Sequence, residues 1–198
     1  MSSFIYGLAI GFSLILAIGA QNAFVLKQGL KNKYVFWVCL VCALSDSILM
    51  YLGVTGFSKV VSQYPFIVIL AKYLGATFLL VYGFLSFKAA FNTTNILSPS
   101  VVEESSFIKV IGTCLAFTWL NPHVYLDTLV LIGSISTQFK GSKIQFASGA
   151  ISASWLFFFI LGYGARFLRP LFENPRAWNV LEFIIGLVMW FIAITLII

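Results

Sequence analysis

LAIGAQNAFVLKQGL, residues 16–30, is the stretch on which the fold turns. Its Leu, Ile, Ala, Phe and Val side chains make it a membrane-embedded helix, yet Gln21 and Asn22 stand side by side within it. Amides are tolerated in hydrocarbon where they satisfy freed backbone groups or line a cavity instead of facing lipid. The pair therefore calls for a matching feature elsewhere in the chain.

Composition agrees with a membrane environment. Of 198 residues, 61% are hydrophobic and only 9% charged, whereas a soluble domain carries about 25% charged residues. Mean hydropathy is +1.01. So few charges cannot cover a globular surface, and lipid must cover much of it. The net charge is +6, but the basic residues sit between apolar segments. That is the pattern of membrane topology and not of a nucleic-acid-binding face. Only Met1, Ser2 and Ser3 precede the first apolar run, with no basic leader, so residues 4–26 are expected as a first mature helix and not a cleaved signal.

A spanning helix needs about 20 mostly apolar residues. Six stretches qualify: 4–26, 34–57, 66–91, 107–138, 144–167 and 178–198. The expected fold is an all-α polytopic membrane protein, one transmembrane domain over residues 1–198. The fourth stretch is too long for one straight span and contains Asn121-Pro122. Proline breaks the backbone ladder and pushes its predecessor out of helical geometry, which predicts two half-helices or a sharp kink. The polar segment 92–106, with Pro99, Glu103 and Glu104, reads as a flexible cytoplasmic loop joining two halves, about 1–91 and 107–198. Its Asn92-Thr93-Thr94 matches a glycosylation acceptor, a pattern short enough to arise by chance.

Across alternate connections, Lys27, Lys31, Lys33, Lys88, Lys109, Arg166, Arg169 and Arg176 fall on one side, and Lys59, Lys72, Lys140 and Lys143 on the other. The richer side is expected to be cytoplasmic, which places both termini outside. Three spans per half means that the second half enters the membrane from the opposite side, the arithmetic of an inverted repeat. The polar break at Gln21-Asn22 then has its counterpart at Asn121-Pro122, and NAFV and NPHV align loosely around them.

Two carboxylates lie within apolar runs: Asp46 in CALSDSILMYLG and Asp127 in NPHVYLDTLVLIGS. Each costs at least about 2.5–3.5 kcal/mol near the bilayer centre. No Lys or Arg lies at comparable depth to neutralise both, which leaves a cation from solution, a proton or a cationic substrate. The plainer alternative is a pair of protonated or hydrogen-bonded carboxyls that hold helices together. Gln21, Asn22 and Asn121 are either interhelical glue, worth about 0.6 kcal/mol each, or part of a binding site in which half-helix N-termini hold a carboxylate. His123, directly after the break, is a proton relay or a capped histidine. Trp119, Tyr125 and Trp155 are candidates to stack on a cationic group. Gly7-x-x-x-Gly11 is a helix-contact pattern.

Cys39-x-x-Cys42 places two thiols one turn apart, but its neighbours Leu40, Val41 and Ala43 offer nothing that would lower a thiol pKa. No cluster has metal-ligand spacing, no Gly-rich phosphate loop occurs, and one histidine cannot assemble a hydrolytic triad around a serine. No cofactor, resident metal or enzymatic activity is expected.

The segments 11–31 (GFSLILAIGAQNAFVLKQGLK) and 117–134 (FTWLNPHVYLDTLVLIGS) resemble the LysE/ArgO family of bacterial basic amino-acid exporters. Segments 42–53 and 74–91 resemble its second and third helices, and the likeness runs in order over essentially the whole chain. The resemblance implies an exporter of lysine, arginine or close analogues in the bacterial cytoplasmic (inner) membrane, an antiporter driven by the proton gradient or by membrane potential. Carried onto this chain, the family's motif positions are Gln21, Asn22, Asp46, Asn121, Pro122 and Asp127. Export of neutral amino acids or of small or metal cations is the alternative within the wider superfamily. A thiol redox carrier using Cys39 and Cys42 is the alternative from another class. The choice of amino acid, the coupling ion and a homodimeric state are left open.

Overall fold

The computed structural model describes residues 2–16, 19–56, 65–91 and 106–197, and these are almost entirely helical. Most of the expected loop 92–106, with its glycosylation pattern and both glutamates, lies outside the described residues, as does Lys59. In chain order the elements are α1 (Ser3–Ile15), α2 (Ala20–Lys31), α3 (Val35–Thr55), α4 (Pro65–Phe91) and α5 (Phe107–Trp119). There follow α6 (Pro122–Tyr125), a π-helical stretch Leu126–Leu131, α7 (Ile132–Ser136), α8 (Lys143–Gly164), a 3-10 stretch Ala165–Glu173 and α9 (Pro175–Ile197).

Four segments are long and apolar enough to cross a membrane alone: Val35–Thr55, Ile69–Phe91, Lys143–Glu173 and Arg176–Ile197. The other two expected spans are broken. Residues 4–26 are not one helix: α1 stops at Ile15, α2 starts at Ala20, and the pair is bent by 83°. Gly19, extended at φ −115° and ψ 168°, is the residue from which α2 restarts. The interruption therefore falls before Gln21-Asn22, and both amides stand in the first turn of α2 instead of in the break. In the second case the expected interruption is where proline dictates. α5 ends at Trp119, Asn121 is extended, and Pro122 opens α6 at the position where its missing N–H costs nothing.

α3 is the most enclosed span. It packs against α5, the π-helical stretch and α7 on one side and against α8 on another. α1 lies along α8, and α4 and α9 pack chiefly along each other. Glycines permit the closest crossings. A methyl group on Gly7 would fall on the Phe146 carbonyl, and one on Gly149 on the Phe4 carbonyl, so α1 and α8 touch backbone to backbone. Gly53 and Gly133 do the same for α3 and α7. The Gly7-x-x-x-Gly11 face is thus a helix contact, with Gly11 seated on Ala150. Phe66, Phe84, Ile160 and Phe191 point outward, as a lipid-solvated surface requires.

The thiols of Cys39 and Cys42 do not meet. Cys39 donates to the Phe158 carbonyl at 3.2 Å, while Cys42 Sγ lies 3.2 Å from Cys114 Sγ on α5. All three cysteines are free and buried.

Candidate functional site

Where the two broken elements converge on α3 there is a cavity of about 290 Å³. Its lining includes Gln21 and Asn22 from α2, Asp46 from α3, Asn121 and His123 from the second break, and Asp127 from the π-helical stretch. Pro122 is buried behind this lining and shapes the turn without facing the space. Met50, Ile132, Phe158 and Ile192 supply apolar wall.

Each break is closed by a side chain reaching back across it. A helix that stops inside a membrane leaves carbonyls with no acceptor role filled, and these must find donors. Asn22 Nδ2 donates to the Ile15 carbonyl at 2.8 Å, tying the start of α2 to the end of α1. Tyr125 Oη donates to the Trp119 carbonyl at 2.6 Å, tying α6 to the end of α5. Asn121 Oδ1 accepts from the His123 backbone N–H at 3.1 Å, an N-cap contact.

The N-terminus of α2 has no such cap. Gly19 offers no side chain, and the first helical hydrogen bond runs from Ala23 N–H to the Gly19 carbonyl. The first helical acceptor within α2 is thus the Gly19 carbonyl, and the N-cap residue contributes no side-chain bond. Gln21 is itself buried, and its Nε2 has no hydrogen-bond partner among the described residues. The N-terminus of α2, with the Gln21 amide, thus borders the polar cavity.

The carboxylate of Asp46 shares this lining, close to the Gln21 side chain. It is buried, at 5% exposure, and accepts one hydrogen bond from Ser154 Oγ of α8 at 3.1 Å. Its neighbours brace α3 on both sides: Trp119 Nε1 donates to Ser45 Oγ at 3.2 Å, and Trp155 Nε1 to Ser47 Oγ at 3.0 Å. Trp119, Tyr125 and Trp155 are therefore supports and not cation-stacking walls. None of them lines the cavity, their polar atoms being already engaged and Trp155 stacked on Phe159. Asp127 reaches the cavity from a π-helical turn, in which the wider backbone spiral displaces side chains from α-helical positions, a feature common at functional sites.

Ser154 and Thr128, both at the site, carry no signal in the sequence, since a lone hydroxyl in an apolar helix most often bonds its own preceding turn. Glu182 carried such a signal. It lies in NVLEFIIGLV of α9, and it is buried and paired with Lys27.

An apolar helical bundle built around two interrupted helices and a polar cavity has the architecture of a membrane translocator. The chain belongs to the LysE type translocator family, whose model matches residues 12–198. Members of that family are transporters and not enzymes. The chain is 43% identical over 196 residues to the Arginine exporter protein ArgO of Escherichia coli (strain K12), covering 98% of this chain and 93% of that one. It is 44% identical over 191 residues to the protein of that name from Klebsiella pneumoniae, covering 96% and 90%. With the one from Pectobacterium carotovorum it is 42% identical over 194 residues, covering 98% and 95%. No solved structure matches the chain.

Proposed function

We propose that this protein exports basic L-amino acids, arginine foremost, across the cytoplasmic membrane, and that the cavity between α2, α3 and the second break is where the amino acid binds. The observation that carries this reading is that the buried Gln21 amide, whose Nε2 has no partner among the described residues, and the carboxylates Asp46 and Asp127 line one cavity of about 290 Å³. An arginine zwitterion presents an anionic end and a cationic end in the complementary order. The α-carboxylate is received by the Gln21 amide at the start of α2, with Asn121 in the same lining. The α-amino group and guanidinium meet Asp46 and Asp127. A desolvated cation needs a facing carboxylate, and a membrane carboxylate needs a cation, so each offsets the other's burial cost. His123 and the two aspartates are the groups available for proton coupling.

Alternating access follows from two inverted halves, residues 1–91 and 107–198, that rock about the cavity. The packing supports this: α3 of the first half lies against the broken helix of the second, and α8 of the second lies against the broken helix of the first. The glycine crossings Gly53–Gly133 and Gly7–Gly149 occur at these two contacts. Export is antiport or uniport drawing on the proton gradient or membrane potential, with both termini outside.

Cells preloaded with radiolabelled arginine test the reading. Expression should speed arginine loss, and collapsing the gradients should remove the gain. Unchanged efflux of arginine and lysine, with the protein present in the membrane, would sink it and turn attention to neutral amino acids and cations.

A further inference from the structure

α2 and α9 are joined by a charged pair that the transport scheme above leaves unused. Lys27 Nζ lies 2.6 Å from Glu182 Oε1 and 2.9 Å from Oε2, and 5.5 Å from the centroid of the Tyr82 ring. The two side chains are only 12% and 9% exposed. A buried ion pair seldom stabilises a fold more than apolar residues of the same volume, so stability alone does not explain it.

Its position is informative. Gln21, Phe24 and Lys27 follow one another at a spacing of three, along neighbouring positions of α2. Gln21 lines the cavity, and the Phe24 ring packs on Phe117 and Tyr82 at centroid distances of 5.3 and 6.4 Å. On α9, Ile192 lines the same cavity, and Glu182 stands ten residues earlier, about 15 Å along the helix. Both helices thus run from the cavity to the ion pair, with a cluster of aromatic rings between.

We propose that Glu182 and Tyr82 form a second cation site on the transport path, for the guanidinium or ammonium group of the substrate, and that Lys27 is the internal ligand that fills it when substrate is absent. This rests on the export of basic amino acids proposed above. The carboxylate is already held through both oxygens, the geometry that a guanidinium takes up with two parallel N–H donors. The face of Tyr82 adds a cation–π contact, which a guanidinium makes as well as an ammonium. The occupant now present is an ammonium on a flexible stem, chemically the side chain of a lysine substrate, so substrate and Lys27 compete for one place.

A structural clamp is symmetric in its two partners, whereas a cation site is not, and this asymmetry is the test. The full-length protein is purified, reconstituted in liposomes and assayed for radiolabelled arginine transport, with membrane insertion and thermal unfolding measured alongside. Glu182→Gln should lower the transport rate by about tenfold, as expected for loss of a charge-assisted contact. Lys27→Gln keeps the carboxylate and removes its competitor, so it should hold or lower the half-saturating arginine concentration. The double variant Lys27→Glu with Glu182→Lys rebuilds the pair with its charges reversed and should stay at least as slow as Glu182→Gln. Wild-type rates in Glu182→Gln, recovery in the charge-reversed pair, or a raised half-saturating concentration in Lys27→Gln would each overturn the proposal. If Glu182→Gln does not reach the membrane, the Lys27→Gln half-saturation decides alone. Absence of arginine transport by the wild-type protein would instead overturn the export reading on which this one stands.

Discussion

Gln21 and Asn22 are neighbours in the chain with different work. Asn22 spends an amide donor on the Ile15 carbonyl and so closes the break between α1 and α2. Gln21 Nε2 lies at the cavity with no partner among the described residues. Their replacement should separate the two roles. Gln21→Leu removes a donor for the substrate carboxylate and should raise the half-saturating arginine concentration about tenfold, in keeping with the roughly 1–3 kcal/mol attached to an unmatched buried polar group. Protein abundance and thermal unfolding should change little. Asn22→Leu strands a carbonyl inside the membrane and should lower the unfolding temperature in detergent. If Gln21→Leu leaves arginine kinetics unchanged, the carboxylate end of the substrate has been placed wrongly. At Asp46, Ser154→Ala removes the hydrogen bond that orients the carboxylate and should weaken arginine transport without abolishing it. Asp46 and Asp127 are legible in the sequence because a charge in an apolar run is rare and costly. Ser154 is not, because only folding brings α8 to α3. Glu182 is legible by the same rule as the aspartates. Assigning Lys27 to a connection between spans is what conceals its partner.

Among the elements, the two broken helices differ in how well the sequence announces them. Pro122 enforces the second break through its missing N–H and its ring, both visible in the residue name. The first break depends on Gly19, one of 15 glycines, and nothing local separates it from Gly7 or Gly11, which remain helical and serve close packing. The visible polarity of Gln21-Asn22 marks the right neighbourhood but not the residue at which the helix stops. The bulge that carries Asp127 was equally hidden, since no residue type encodes a π-helical turn. Two predictions belong at this scale. Gly53→Val places branched methyls against the Thr128 carbonyl and should destabilise the protein by about 1–3 kcal/mol, the usual cost of overpacking, read as a fall in the detergent unfolding temperature. Cys39→Ser combined with Cys42→Ser should leave arginine export near its wild-type rate, since the two thiols serve separate packing contacts. Complete loss of export in that variant, with the protein inserted, would revive a thiol mechanism.

At the scale of the whole molecule, composition alone settles the solvent, because 9% charged residues leave most of the surface to lipid. Hydropathy then finds the four continuous spans, but it cannot divide the remaining two into halves, since a break by a few residues scarcely alters a window average. Convergence is the other thing it cannot find. Residues 21, 46, 121, 123 and 127 come from α2, α3, α6 with its N-cap, and the π-helical stretch, and share one cavity only through the packing of α3 and α8 between the broken helices. That convergence is what gathers scattered polar residues into one cavity. The central claim is that this site binds and moves a cationic amino acid through Asp46. Counterflow of radiolabelled arginine into arginine-loaded liposomes, comparing the purified wild-type protein with Asp46→Asn, tests it most directly. The wild-type protein should accumulate label, and Asp46→Asn, inserted and folded to the same extent, should show none. Equal counterflow in the two proteins would contradict the account.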